Sequence, residues 1–562
     1  SPRPPGALAG APPRIWWPGP REGAYVGLEV EAMRTGGDKV QMRALEKARD
    51  LGLVYDGLNA LGRVPWKINR STLGSAIRCW EEGVVLGDIP SQVDLDVPER
   101  PERVPKPEGA EPDTPAYEAW KTKMLANKLE FFKYKKVLQR NMDLNSLRCS
   151  TLLKLHQAEK FQNMEEIYFP YNMDFRGRAY PIPPHLNHLG SDMSRGLLTF
   201  SHPKPLGPKG LYWLKVHLAN LCGANKISFD ERAAFVDENM QHVRQSVARP
   251  FHDPDERHHR DERPWWQRQE EPFQVLATCR EIVAALDSPD PARHLSSLPV
   301  HMDGSCNGLQ HYAAIGRDRE GGTAVNLCAG DRPQDVYVGV MEEVVRRVAD
   351  DASCALPPEP SREELRRSRS ARLVDGLIDR GVVKRTVMTS VYGVTFVGAR
   401  SQIQEKLMDK LAERGVDVDD AEDEIHAASA YVARVTMEVM GEQFQGARDT
   451  MSWLAQSARA MCERGQPVAW ITPMGLPVVQ PYRQSRGYEV TTLWQTVTLL
   501  SSAEDLPVNA QRQATAFPPN FVHSLDSCHM MLTALEMERR GLTFTAVHDS
   551  FWTHPADVDE MN

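Results

Sequence analysis

The sequence predicts a helix-rich α+β protein, and three observations carry that expectation. At 562 residues the chain is too long for a single hydrophobic core, so several domains are expected. Its apolar residues recur at helical spacing over 116–161 and over most of 333–521. Over 166–326, and again after 523, short β-prone runs alternate with helical ones. Long helical stretches set apart from a mixed region are the pattern of an α+β architecture.

The elements follow in chain order. Residues 1–20 are rich in proline and read as extended or disordered. Trp66–Glu82 reads as a helix, and Pro90–Pro115 as a Pro/Glu/Asp-rich connector with too little apolar surface to pack. From Ala116 to Phe161, Trp120, Met124, Leu125, Phe131, Phe132 and Leu138 recur at roughly helical spacing with lysines between them. A second helix is expected from Asn145 to Lys160. The helical region 333–521 is interrupted by a charged insert, Ser353–Arg372, and Thr472–Val479 reads as a small hairpin. No internal repeat is evident.

Composition sets limits. Hydrophobic residues at 41% and charged residues at 25% are ordinary globular values, and no apolar run reaches the ~18–20 residues of a membrane helix. A net charge of -9 disfavours contact with nucleic-acid phosphates unless charge is segregated. Two basic tracts supply that segregation: Lys121, Lys123, Lys128, Lys133, Lys135, Lys136 and Arg140, then Arg372 to Arg400. Acidic surplus gathers in 405–424 and 253–271. The nine cysteines form no C-x-x-C pair, which speaks against a disulfide framework or a structural zinc site. His252, His258 and His259 lie among acids but lack ligand spacing, so a mobile charged loop is expected there.

The chemistry concentrates in two short segments. Val300-His301-Met302-Asp303-Gly304-Ser305-Cys306-Asn307-Gly308 and Ala546-Val547-His548-Asp549-Ser550 each end a β-prone run in a carboxylate. Alone, each Asp is an ordinary turn residue. Together they suit a two-metal site, where strand ends hold acids rigidly beside an open face. Between them, Arg380 to Gly393 places Arg380, Lys384 and Val391 on one helical stripe, with Met388 and Tyr392 alongside. Such a stripe suits a triphosphate and a base; a solvated charged face is the other reading.

These three segments resemble motifs A, B and C of the single-subunit, bacteriophage-type RNA polymerases. The likeness is greatest to the mitochondrial group, especially over Phe200–Asn239. It extends from Trp66-Lys67-Ile68-Asn69 through Met173–Arg178, Pro264-Trp265-Trp266 and Pro518–Ser524. The resemblance implies a right-hand polymerase fold. Residues 1–70 would be a remnant of an N-terminal region, 71–165 a helical thumb, 166–331 the first part of the palm, 332–522 the fingers and 523–562 the second part of the palm.

It also implies roles. Asp303 and Asp549, with the carbonyl of Gly304, would hold two Mg²⁺ ions. Arg380 and Lys384 would neutralise the triphosphate, Lys384 also protonating pyrophosphate, with Arg385 assisting or forming a salt bridge. Tyr392 and His523 would sense the ribose 2′-hydroxyl, and Arg176 and Arg178 would touch the template–product hybrid. Gly177 between them would allow close approach of backbone to phosphate. His548 would touch the primer end or support its hairpin.

The implied partners are a double-stranded DNA template, nascent RNA and ribonucleoside triphosphates. A promoter-melting factor, an HMG-box architectural factor and an elongation factor would join them in the mitochondrial nucleoid, with no membrane involved. Both ends of the family's chain are expected to be missing: the N-terminal promoter-contacting and RNA-binding regions, and the palm beyond Asn562.

Rival readings differ physically. Related DNA polymerases carry a Glu five residues after the first catalytic Asp; Gly308 leaves room for a hydroxyl instead. A two-metal nuclease would account for the acids but not for Arg380–Gly393. A phage-type polymerase or primase outside mitochondria, and a non-catalytic nucleic-acid-binding scaffold, complete the alternatives.

Overall fold

The computed structural model describes residues 10–17, 19–36, 38–102, 104–107, 114–251, 263–330, 332–391, 393, 395–414, 422–484, 487–491, 496–500 and 506–562. Buried apolar side chains fall into two clusters. The first runs from Trp16 to Val300 and takes in Met474, Leu476 and Val478 and then Cys528 to Val558. The second contains Leu309 to Val522 and is almost wholly helical. Trp470, partly buried, packs against both. The helix-rich α+β class is what the chain adopts.

Of residues 1–20, read as extended or disordered, residues 1–9 and 18 lie outside the described residues, and among the rest Trp16 is packed. Trp16 is buried, and its indole Nε1 donates to the Tyr171 carbonyl at 2.9 Å. Trp66–Glu82 is likewise not one helix. Trp66–Ile68 is a strand antiparallel to Leu198–Phe200, and the helix starts only at Arg70, where Asn69 accepts from the Thr72 amide. Trp66 and Ile68 alternate inward with Lys67 between them, a period-2 signal overlooked beside the longer helical one.

Helix α1, Pro115–Phe161, is a single helix of 47 residues, about 70 Å at 1.5 Å per residue. The two helices expected here are therefore one, since no Gly or Pro interrupts Ala116–Phe161. Thr114 caps it and Pro115 opens it. Its C-terminal end is anchored by buried Thr151, Leu155 and Ala158, while Phe132, Met142 and Leu147 are exposed. Within the connector expected to leave 90–115 unpacked, residues 91–102 run antiparallel along this helix. Asn141 exchanges two hydrogen bonds with the Leu95 backbone, at 2.8 and 2.9 Å, and Arg148 donates to the Ser91 carbonyl at 2.7 Å. Backbone polarity, which needs no apolar surface, does the tethering.

Strands β1, Tyr171–Asp174, and β2, Ala179–Pro181, form an antiparallel hairpin, with Met33–Arg34 added parallel to β1. Strand β3, Val300–Asp303, leads into helix α2, Asn307–Gly316. Helix α3, Arg380–Ser390, lies in the second cluster. The insert expected to interrupt that cluster is itself largely helical, Arg362–Val374, started by a Ser361/Glu364 capping box.

Helix α4, Ala510–Arg539, contains Pro518 and Pro519 and still continues. Its N-terminal half buries Ala514, Phe517 and Val522 in the second cluster and its C-terminal half Cys528, Met531 and Ala534 in the first, so packing on both sides holds it through the prolines. The boundary expected between 522 and 523 falls inside this helix. Strands β4, Thr545–Val547, and β5, Ser550–Thr553, form a tight hairpin, and β5 pairs antiparallel with β3. The expected hairpin at Thr472–Val479 is present, with strands Ala469–Ile471 and Pro477–Val479. All nine cysteines are free. Among the described residues no helix is long and apolar enough to cross a membrane. His252, His258 and His259 lie outside the described residues.

Candidate active site

The three-stranded sheet β4–β5–β3 brings the two acids together from 246 residues apart, the difference between positions 303 and 549. Asp303 ends β3 and pairs in register with Ser550, the residue after Asp549. Two residues back, His301 pairs with Trp552, and their rings stack at 3.6 Å. Val300 and Trp552 are buried, so the strand ends are rooted in the first core while Asp303 reaches solvent. A Cβ added at Gly304 would lie 3.7 Å from the Asp549 carbonyl oxygen and 3.9 Å from its Cβ, so the two segments approach in van der Waals contact.

The electrostatics are those of a carboxylate pair in need of a counter-charge. Burial, then the neighbouring negative charges of Asp303 and Asp526, push the Asp549 carboxyl up to about 6. Burial also raises Asp303, opposed by its Gly304 amide bond and by the charges of Arg195 and Lys226. Oxygen donors of this kind, mutually repelling and open to solvent on one side, fit a hard divalent cation. No group of three or more His, Cys, Asp or Glu able to hold a metal occurs among the described residues, so the candidate donor set is this pair plus backbone oxygen.

Helix α3 presents the basic stripe. Asp379 caps it through the Val382 amide, and Val382, Val383 and Val387 pin its inner face. Lys384, Arg385 and Met388 point outward. Val391 is buried and so does not share the open stripe. Arg380 is half-buried, its Nε 2.9 Å from Asp335 and its guanidinium 5.0 Å from the Tyr337 ring centroid. Lys226 reaches the same Asp335 oxygen at 3.2 Å. Burial works to raise the Asp335 carboxyl, but Arg380 and Lys226 hold it below its usual value. Arg385 pairs with Glu405 at 3.1 Å, in keeping with the salt-bridge alternative, whereas Lys384 has no ion pair among the described residues. Tyr392 lies outside the described residues.

Gly308 is buried as the second residue of α2, five positions after Asp303. His523 on α4 is half-buried, and its Nδ1 is 2.7 Å from Arg176 Nη1. Burial, with the charges of Arg178 and Arg176, depresses its pKa to about 2. Arg176 and Arg178, the residues expected to touch a hybrid, are each held by a carboxylate. Arg176 is paired to Asp174 at 2.6 Å and Arg178 to Asp526 at 2.6 Å, both mostly buried. Buried carboxylates draw the guanidinium groups into the protein. Gly177, at φ +98, brings the turn so close to the 469–479 hairpin and to α4 that an added Cβ would sit 2.9 Å from Leu476 and 3.1 Å from Ser527. The approach it allows here is to protein. His548 adopts φ 57 in the β4–β5 turn and rests edge-on against the Tyr180 ring at 5.1 Å, the hairpin-supporting arrangement.

Sequence reasoning missed Lys226, Asp335, Asn307, Asp174 and Asp526. Asp174 and Asp526 stand two residues before Arg176 and three after His523, close enough to have been weighed with them. Nothing local marks Lys226 or Asp335, which meet Arg380 only through the fold.

Comparison with known proteins agrees with this geometry. A family model described as "DNA-dependent RNA polymerase" matches residues 204–562. The chain is 44% identical over 555 residues to the Nicotiana tabacum protein named "DNA-directed RNA polymerase 1B, mitochondrial", covering 98% of this chain and 51% of that one. It is 43% identical over 554 residues to "DNA-directed RNA polymerase 2, chloroplastic/mitochondrial" of Arabidopsis thaliana, covering 98% and 51%. Against "DNA-directed RNA polymerase 3, chloroplastic" of Nicotiana sylvestris the identity is 42% over 555 residues, covering 98% and 52%. The chain thus spans about half the length of these curated relatives.

Proposed function

Since the chain belongs to the DNA-dependent RNA polymerase family, we propose that the protein containing it performs DNA-templated RNA synthesis, adding ribonucleotides to an RNA 3′-hydroxyl. One observation carries the reading: Asp303 and Asp549 converge at adjacent strand ends, and the charge of Asp303 adds to the cost of ionising Asp549. The family suggests a divalent metal, and we assign two Mg²⁺ ions to Asp303, Asp549 and the Gly304 carbonyl. When bound, they would lower the pKa of the 3′-hydroxyl and offset charge developing on the transferred phosphoryl group.

The protein's own residues do the rest. Strand pairing with Ser550, and the stacked His301–Trp552 pair behind it, hold the acids in place before substrate arrives, so little reorganisation is needed in the transition state. Lys384, exposed and without an ion pair among the described residues, is positioned to meet a triphosphate and protonate departing pyrophosphate. Arg380, steered by Asp335 and Tyr337, gives the same anion a directed guanidinium. Gly308 leaves room for the 2′-hydroxyl. His523, held neutral by burial, can contact that hydroxyl without adding charge, and Tyr392 is assigned to the same sugar on its motif.

The architecture supports naming α1 the thumb, the site sheet the palm and the second cluster the fingers. Substrates are double-stranded DNA, nascent RNA and ribonucleoside triphosphates. The compartment in the relatives' names, mitochondrial or chloroplastic, supports an organellar polymerase. We take it as mitochondrial, in the nucleoid of the matrix, working with a promoter-melting factor, an HMG-box protein and an elongation factor. The test is primer extension by the full-length protein with each nucleotide class. Extension with ribonucleotides supports the reading, while degradation of the primer points to a nuclease and binding without either to a scaffold.

A further inference from the structure

Outside the acid pair and the basic stripe, the most completely satisfied polar cluster in the site is centred on Asp526. Its carboxylate is buried, 3% exposed, and is held from two directions. One oxygen accepts from Arg178 Nε and Nη2, at 2.9 and 2.6 Å. The other accepts from Asn307 Nδ2. Asn307 is the first residue of α2, buried, and immediately precedes Gly308. Arg178 leads back round a closed circuit. Its amide donates to Asp174 at 3.1 Å, Asp174 binds the Arg176 side chain, and Arg176 meets His523, one turn before Asp526 on α4. Ser527, the next residue on that face, donates to the Gly177 carbonyl. His523, Asp526 and Ser527 thus grip one turn of the β1–β2 hairpin at i, i+3 and i+4.

We infer that Asp526 is a positioning residue for sugar selection: through Asn307 and Arg178 it holds Gly308 on α2 and His523 on α4 at a fixed separation across the nucleotide site. The inference rests on the function proposed above. Asp526 touches no substrate in this account. Its carboxylate spans two elements that otherwise have no covalent reason to keep register, and a satisfied buried network specifies one geometry where an apolar contact would tolerate several. A sugar pocket needs that definition, because a hydroxyl is recognised only if its partner is neither too near nor too far.

The test is competition between ribonucleotides and deoxynucleotides on a primed template, using the full-length protein. Asp526→Asn and Asn307→Ala should each narrow the ribonucleotide preference in kcat/KM by about tenfold, a change of ~1.4 kcal/mol. The loss should appear in KM more than in kcat, and the double variant should lose little beyond Asp526→Asn alone, which already disturbs the bond that Asn307→Ala removes. Asn307→Ala removes the bond without leaving Arg178 unpaired, so it remains informative if Asp526→Asn folds poorly. Asp526→Glu should recover part of the preference. Unchanged preference in Asn307→Ala, additive losses, or a fall in kcat at constant preference would each overturn the inference while leaving the polymerase assignment intact. A parent protein that extends with neither nucleotide, or with both equally, overturns the functional reading and this inference with it.

Discussion

Asp549 is the residue at which function and stability conflict most directly. Its carboxyl is pushed up to about 6 from an ordinary 3.8, first by burial and then by Asp303 and Asp526. Between those two pH values the folded chain binds more protons than the unfolded one, so the group's contribution to stability falls as pH rises from about 4 to about 6 and stays reduced above that. In metal-free buffer, Asp549→Asn is therefore expected to melt above the parent at pH 7.5, with the gap closing as pH is lowered towards 4. Thermal unfolding across that range checks it, and equal melting at pH 7.5 would contradict the electrostatics. Lys384 has no such conflict, being exposed. Lys384→Ala should raise the nucleotide KM and lower turnover with template affinity unchanged, since its charge serves both the bound triphosphate and the leaving group. Steady-state nucleotide titration separates this from a role on the template path, which would lower DNA affinity alone.

At the scale of elements, legibility followed the kind of signal each segment carries. Strand ends bearing Asp303 and Asp549 were readable because alternation and a terminal acid are local features. The α3 stripe was readable for the same reason, apart from Val391, whose burial depends on neighbouring helices. The carboxylate partners of Arg176 and Arg178 were not read from the sequence, and Asp526 lies 348 residues from Arg178. The Trp66 strand is three residues long and its partner lies beyond 197, so its helical successor dominated the pattern. The tether along α1 was invisible for a further reason: it works through backbone groups, which every sequence has. Asn141→Ala removes both of its bonds to Leu95, each worth ~1 kcal/mol at most in such an exposed place. Amide exchange over 91–97 should accelerate while α1 keeps its protection. Unchanged exchange would mean that the Arg148 contacts alone hold the strap.

For the whole molecule, the net charge of -9 and a nucleic-acid partner are reconciled by where the charges lie. Helix α1 carries Lys133, Lys135 and Lys136 on a long arm whose buried side chains, among the described residues, lie near its C-terminal end. Replacing these three with Gln should weaken DNA binding similarly for all sequences and flatten the dependence of log K on log salt, by up to about three contacts at ~0.9 each. Titrations at several salt concentrations measure that slope, and an unchanged slope would remove α1 from the duplex path.

The two cores meet at Trp470 and along α4, so the acids in the first and the basic stripe in the second are held in one site by shared helix and shared side chain. The central claim is that this junction is a nucleotide-addition site with Asp303 and Asp549 at its centre. The most direct test is single-nucleotide extension of an RNA primer by the full-length protein and by its Asp303→Asn and Asp549→Asn variants, with template binding measured in parallel. The account predicts extension by the parent, none by either variant, and template affinity nearly unchanged in both, because carboxylates that act on transition-state charge contribute little to the phosphate grip. Extension by either variant within tenfold of the parent would contradict it.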